Sequence, residues 1–207
     1  MRVNASLKLP RPGLYAISDG PRRDLVDVCA AALRGGAAVL QYRDKSADDT
    51  RRHQEAAALA ALCAEFRVPL IVNDDVELAA ALGAGVHLGE HDGDIAAARA
   101  RLGPHAIVGV SCYNELERAR TAAAAGADYL AFGAFFPSPT KPNARRADTA
   151  LLAAARTFGL PQVAIGGLTP DNAAPVIAAG ADFVAAISGV FGTPDVEAAA
   201  ARYAALF

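Results

Sequence analysis

Two aspartates close neighbouring apolar runs, Asp74 in VNDD and Asp92 in GVHLGEHD. Paired carboxylate oxygens suit Mg2+, which takes few protein ligands and completes its octahedron with water and phosphate oxygens. Asp75 has a plainer reading as the cap of the helix that VELAAAL would form, and capping is also open to Asp92. The preceding run ends in QYRDK, where Gln41, Arg43 and Lys45 alternate and so leave one face of a strand end. Arginine grips phosphate oxygens with a planar fork, and lysine adds a point charge, so this face beside a cation site suits a polyanion. Pairing of Arg43 with a local aspartate is the competing reading.

Further along, FFPSPTKPNARR offers the hydroxyls of Ser138 and Thr140 and the charge of Lys141, with Pro137, Pro139 and Pro142 limiting how far the segment wanders. Gly166-Gly167 and Ile187-Ser188-Gly189 end the last two runs. Glycines there would let a phosphate approach backbone N–H groups at helix starts, and Thr169-Pro170 reads as a cap for the next helix. Cys112 and His91 sit at the ends of adjacent runs, but nothing in their spacing makes a nucleophile and its base.

All these residues end apolar runs, and each run is followed by an alanine-rich helical stretch. Strands are expected at 13–19, 37–43, 69–74, 85–89, 106–111, 128–134, 162–166 and 183–188. Gly35-Gly36, Gly83, Gly103-Pro104, Gly126, Gly159 and Gly180 mark helix ends ahead of the next strand. The junctions LGAGVHL, AGADYLA and AGADFVA repeat at a spacing of roughly 25 residues or its multiples. Alternation of this kind specifies parallel strands with helical crossovers. Eight units close into a single-domain (β/α)8 TIM barrel over 1–207, whose polar strand ends meet at one mouth. An open doubly wound sheet usually has a Gly-rich turn after its first strand, and SDGPRRD lacks that spacing.

At 207 residues the chain is short for eight units, so its connections must be tight. A net charge of −2 gives no electrostatic case for nucleic acid, and the cluster Arg51, Arg52, His53 reads as a solvated helix face. No run approaches membrane-spanning length, and MRVNASLKLPRPG lacks the apolar core of a signal peptide. Cys29, Cys63 and Cys112 are odd in number and lack metal-ligand spacing, so reduced thiols and a cytoplasmic location are expected. Association into a homo-oligomer is left open.

Taken together, QYRDK, VNDD with GVHLGEHD, GVSCYN, FFPSPTKP, IGGLTPDN and AAISGVF resemble thiamine phosphate synthase, in order and spacing, over nearly the whole chain. The resemblance implies joining 4-amino-5-hydroxymethyl-2-methylpyrimidine diphosphate to 4-methyl-5-(2-phosphoethyl)thiazole, or its carboxylated tautomer, to give thiamine phosphate and pyrophosphate. It implies that Gln41, Arg43 and Lys45 hold the pyrimidine diphosphate, with Asn73 beside it. By the same analogy Asp74 and Asp92 bind Mg2+ on the pyrophosphate, which Ser111 and Lys141 also contact. Ser138, Thr140, Gly167, Ile187 and Ser188 would face the thiazole phosphate. Arg43, Lys45, Ser111 and Lys141 are then the catalytic groups, stabilising charge on departing pyrophosphate. Two positions depart from the family's usual form: Glu90-His91 stands for Gln-Glu, and Ser138-Pro139-Thr140 for Thr-x-Thr. The alternative is a thiazole tautomerase-like barrel, but an isomerase of a monophosphate has no need of QYRDK or of Asp74 with Asp92.

Overall fold

Strands of a parallel barrel are covered on both faces, by the barrel interior and by helices, so they should be buried residue after residue. The computed structural model, which describes residues 9–137 and 145–207, shows this. β1 (Gly13–Ile17), β6 (Tyr129–Phe132) and β8 (Phe183–Ala186) are buried throughout. With β2 (Ala37–Tyr42), β3 (Leu70–Asn73), β4 (Gly85–Leu88), β5 (Val108–Tyr113) and β7 (Gln162–Ile165) they form a closed parallel barrel in sequence order, β8 returning to β1. The fold is the (β/α)8 barrel that the repeat predicts.

The helices are α1 (Leu25–Arg34), α2 (Asp49–Phe66), α3 (Val76–Leu82), α4 (Ile95–Leu102), α5 (Leu116–Ala124), α6 (Thr149–Ala155), α7 (Ala174–Ala179), α8 (Ser188–Phe191) and α9 (Val196–Ala204). α2 has no glycine stop; it ends at Arg67, which takes the left-handed conformation (φ 56°) usually left to glycine. α7 starts at Ala174, with Ala173 in the capping position. Thr169-Pro170 therefore does not cap it. These residues open a turn in which Asn172 Oδ1 accepts from Thr169 N–H at 2.8 Å.

Two apolar layers result from the alternation of side chains. Leu14, Leu40, Val72, Val86, Val110 and Leu130 point outward and pack under the helices, together with all three cysteines. Tyr15, Val39, Ile71, Tyr129, Val163 and Phe183 fill the interior. Tyr129 fits there because its neighbour on β5 is Gly109: a Cβ at Gly109 would lie 1.8 Å from the Tyr129 ring.

Most strands end one or two residues before the expected boundary. Arg43, Asp74, Gly89 and Gly133 have left the strands and form the rim. β5 differs: it starts two residues late and runs on through Cys112 and Tyr113, with its register against β6 slipping between Ser111 and Tyr113. Among the described residues, no helix is long and apolar enough to cross a membrane.

Candidate active site

A cavity of about 420 Å³ opens at the carboxyl ends of the strands. Gln41, Arg43, Lys45, Asn73, Asp74, Asp92, Ser111, Gly167, Ile187 and Ser188 all line it. Ser138, Thr140 and Lys141 lie outside the described residues. The polar groups come from one arc: Gln41, Arg43 and Lys45 follow β2, Asn73 and Asp74 follow β3, Asp92 follows β4, and Ser111 sits on β5. The other arc, after β7 and β8, is backbone-rich. In an eight-stranded ring β3 lies opposite β7, so the carboxylates face Gly166-Gly167 across the mouth.

The end of β2 is braced from behind. Ser18, fully buried after β1, accepts from Arg43 N–H at 2.9 Å through its Oγ. Asp44 points the other way, its carboxylate buried against Arg51 at 2.8 Å. Arg51 also pairs with Glu55 at 3.2 Å, and Tyr42 donates to Glu55 at 2.8 Å. Arg52 bridges Asp49 and Asp75 at 3.0 and 2.8 Å. Arg51 and Arg52 are thus half-buried struts of the site and not the solvated face expected from their position at a helix start. Among the described residues Arg43 has no carboxylate partner, so local pairing does not occupy its guanidinium. Arg43 lines the cavity.

Asp75 caps α3, accepting from Leu78 N–H at 2.9 Å. Asp92 is no cap, since α4 is capped by Asp94; the Asp92 carboxylate turns back to accept from Gly89 N–H at 2.8 Å. Asp74 takes the left-handed conformation (φ 66°), tolerated by aspartate and asparagine better than by most residues. This twist aims Asp74 at the mouth, where Lys45 Nζ lies 3.3 Å from it. Burial raises the Asp74 carboxyl above its ordinary range, and contact with Asp92 raises it further, against the pull of Lys45. Two carboxylates pressed together in this way fit a cation.

Sequence reasoning missed the polar chain beneath the mouth. Gln41 Nε2 donates to Tyr15 OH at 2.9 Å, and Tyr15 OH meets Tyr129 OH at 2.7 Å. Tyr129 OH lies 2.8 Å from His87 Nδ1, and His87 Nε2 lies 2.8 Å from Ser111 Oγ. The links can run in either direction: Tyr15 donates to Tyr129, Tyr129 to Nδ1 and Nε2–H to Ser111, or Ser111 donates to Nε2, Nδ1–H to Tyr129 and Tyr129 to Tyr15. The chain spans the interior from β2 to β5 and fixes the Ser111 hydroxyl from below. Tyr15 and Tyr129 read as apolar strand residues in the sequence, and the one clue was the polar His87 in the otherwise apolar GVHL.

Cys112 faces the helices, fully buried, and burial pushes its thiol up to about 12. It cannot serve as a nucleophile at the mouth.

The family model of thiamine monophosphate synthase matches residues 14–190 of this chain. The chain belongs to the thiamine monophosphate synthase family. A thiamine-phosphate synthase of Methylobacillus flagellatus is 58% identical over 201 residues, which are 96% of either chain. One from Nitrosococcus oceani is 56% identical over 92% of this chain and 90% of the relative. Among solved structures, a thiamine phosphate pyrophosphorylase from Pyrococcus furiosus superposes with a TM-score of 0.87 at 36% identity, covering 98% of this chain and 97% of that one. As a member of the thiamine monophosphate synthase family, the protein is a transferase that joins the pyrimidine diphosphate to the thiazole phosphate, forming thiamine phosphate and releasing pyrophosphate.

Proposed function

We propose that the two arcs of the mouth divide the two substrates between them. The carrying observation is that one cavity holds Arg43, Lys45, Asp74 and Asp92 on one side and Gly166-Gly167 with Ile187-Ser188 on the other. Arg43 and Lys45 bind the diphosphate, Gln41 and Asn73 meet the pyrimidine, and Ser111 donates to the leaving oxygens. Lys141 adds charge to them, while Ser138 and Thr140 hold the thiazole phosphate with Gly167, Ile187 and Ser188. The thiazole is taken as the phosphoethyl compound or its carboxylated tautomer.

Asp74 and Asp92 would hold Mg2+, which would neutralise pyrophosphate as it departs. Among the described residues no three or more His, Cys, Asp or Glu are grouped so as to hold a metal ion by themselves, and two carboxylates would match an ion that keeps water and phosphate oxygens as its other ligands. The cations of this chain stabilise the charge that builds on the leaving group. The carbon–oxygen bond breaks substantially before the thiazole nitrogen attacks, because the aminopyrimidine can carry positive charge on its methylene. Three buried free thiols suit a reducing compartment, in keeping with a cytoplasmic enzyme.

Separate titrations test the division. Arg43→Ala should weaken pyrimidine diphosphate binding by about 2 kcal/mol, the scale of a charge-assisted contact, and leave thiazole phosphate binding nearly intact. Gly167→Val is a poor counterpart, since Gly167 has φ 63° and a Cβ there would lie 2.4 Å from the Pro137 carbonyl. Ser188→Asp is cleaner, placing a negative charge on an exposed cavity residue; it should weaken the monophosphate alone. Calorimetry on each ligand reads both, and parallel losses in a folded variant would contradict two separate sites.

A further inference from the structure

The Arg145 side chain stands where three strand-end segments meet. Its Nη2 donates to Glu90 at 2.7 Å, in the turn after β4, and its Nη1 donates to Glu115, which precedes α5. The guanidinium lies over the Tyr113 ring, 4.8 Å from its centroid. Its own carbonyl accepts from Ala134 N–H at 2.8 Å, tying the segment after β6 to the same point.

Tyr113 makes a second tie to that turn. It takes the left-handed conformation (φ 55°), lines the cavity, and accepts from Glu90 N–H at 3.3 Å through its hydroxyl. Arg118 flanks the Tyr113 ring at 5.8 Å and donates to two carbonyls, Gly89 at 2.9 Å and Ser111 at 2.6 Å. The turn that carries Asp92 is therefore held largely by side chains from later in the chain. Glu90 is also a carboxylate two residues from Asp92, at the side of the mouth where a diphosphate would sit. Unpaired, it would repel that ligand and let the turn relax.

We infer that Arg145 is a positioning residue for the diphosphate side of the site, holding Glu90 and Tyr113 so that the turn presents Asp92 while the Glu90 charge is kept off the ligand. The inference uses the metal assignment proposed above for Asp92. None of the motifs that carry the family resemblance includes Arg145, and its partner Glu90 lies in one of the two stretches at which this chain departs from the family's usual form.

Calorimetric titration of the purified protein with inorganic pyrophosphate and Mg2+, and separately with thiazole phosphate, tests it. Arg145→Ala should weaken Mg2+-dependent pyrophosphate binding about tenfold, the low end for groups that orient a metal ligand, with thiazole phosphate binding within about twofold of the parent. Adding Glu90→Gln to Arg145→Ala should recover part of the loss, because the stranded charge is gone. Parent-like pyrophosphate binding by Arg145→Ala, or equal losses for both ligands that Glu90→Gln does not relieve, would overturn the inference. Should Arg145→Ala fail to fold, Arg145→Lys carries the test: it cannot bridge both glutamates, so parent-like binding would overturn the inference and a partial loss would uphold it. Asp92→Asn separates the two claims. If it leaves Mg2+-dependent pyrophosphate binding unchanged, the metal assignment falls and the inference with it. If it weakens binding while Arg145→Ala does not, the inference alone falls.

Discussion

Replacing Asp74 or Asp92 by asparagine should lower kcat/KM at least about a hundredfold, close to 3 kcal/mol of transition-state stabilisation. Asparagine keeps the shape of each side chain and removes one negative charge, and at Asp74 it also suits the left-handed backbone (φ 66°). Loss of activity would therefore report on charge and not on misfolding. Asp75→Asn is the control: it caps α3 and pairs with Arg52, so it should cost stability, up to about 1 kcal/mol, with little effect on kcat/KM. Asp74 offers a second readout. Its carboxyl is raised by burial and by Asp92, so in metal-free protein it favours the fold while protonated. That contribution fades as pH rises above the ordinary carboxylate range. Asp74→Asn should accordingly raise the Tm of the metal-free protein at neutral pH, and the gain should shrink when Mg2+ and pyrophosphate are added. Equal activity losses for all three variants, or none, would contradict the assignment.

How much of this site could be read from the sequence depends on whether a residue's role is local. Gln41, Arg43 and Lys45 were legible because their alternate spacing carries on past the end of β2 at Tyr42, and all three line the cavity. Asp75 was legible as a cap because capping needs only the three residues that follow. Asp92 was ambiguous: whether it caps α4 depends on where that helix starts, and Asp94, two residues on, takes the role. The supporting shell was hidden because its contacts are long-range. The Tyr15–Tyr129 contact joins residues 114 apart in sequence, and the Arg145–Glu90 pair joins residues 55 apart. Gly109, which makes room for Tyr129, looks like any strand glycine until the ring beside it is seen. Arg51 and Arg52 were misread for a related reason: a helix start suggests solvent, but here it packs behind the QYRDK strand end.

Withdrawing electrons from the pyrimidine should slow turnover by several orders of magnitude, each order being about 1.4 kcal/mol of barrier. A trifluoromethyl group in place of the 2-methyl group alters shape little and penalises positive charge on the methylene. The expectation follows from what the site contains. Arg43 and Lys45 stand beside the acidic pair, while the Cys112 thiol is buried on the far side of its strand, pushed up to about 12. On the reading proposed above, pyrophosphate departs ahead of attack by the thiazole, and no covalent link to the protein forms. Cys112→Ser should keep turnover within about tenfold of the parent, since it changes only packing outside the barrel. A small substituent effect would favour direct displacement, and an inactive but folded Cys112→Ser would point to covalent catalysis.

The most direct test of the central claim is pyrophosphate release by the purified protein with Mg2+, measured alongside thiamine phosphate. With both substrates present, the two products should appear in equal amounts, and release should collapse when the thiazole phosphate is left out or when Asp92 is asparagine. Pyrophosphate released as fast from the pyrimidine diphosphate alone, or no thiamine phosphate from the pair, would contradict the account.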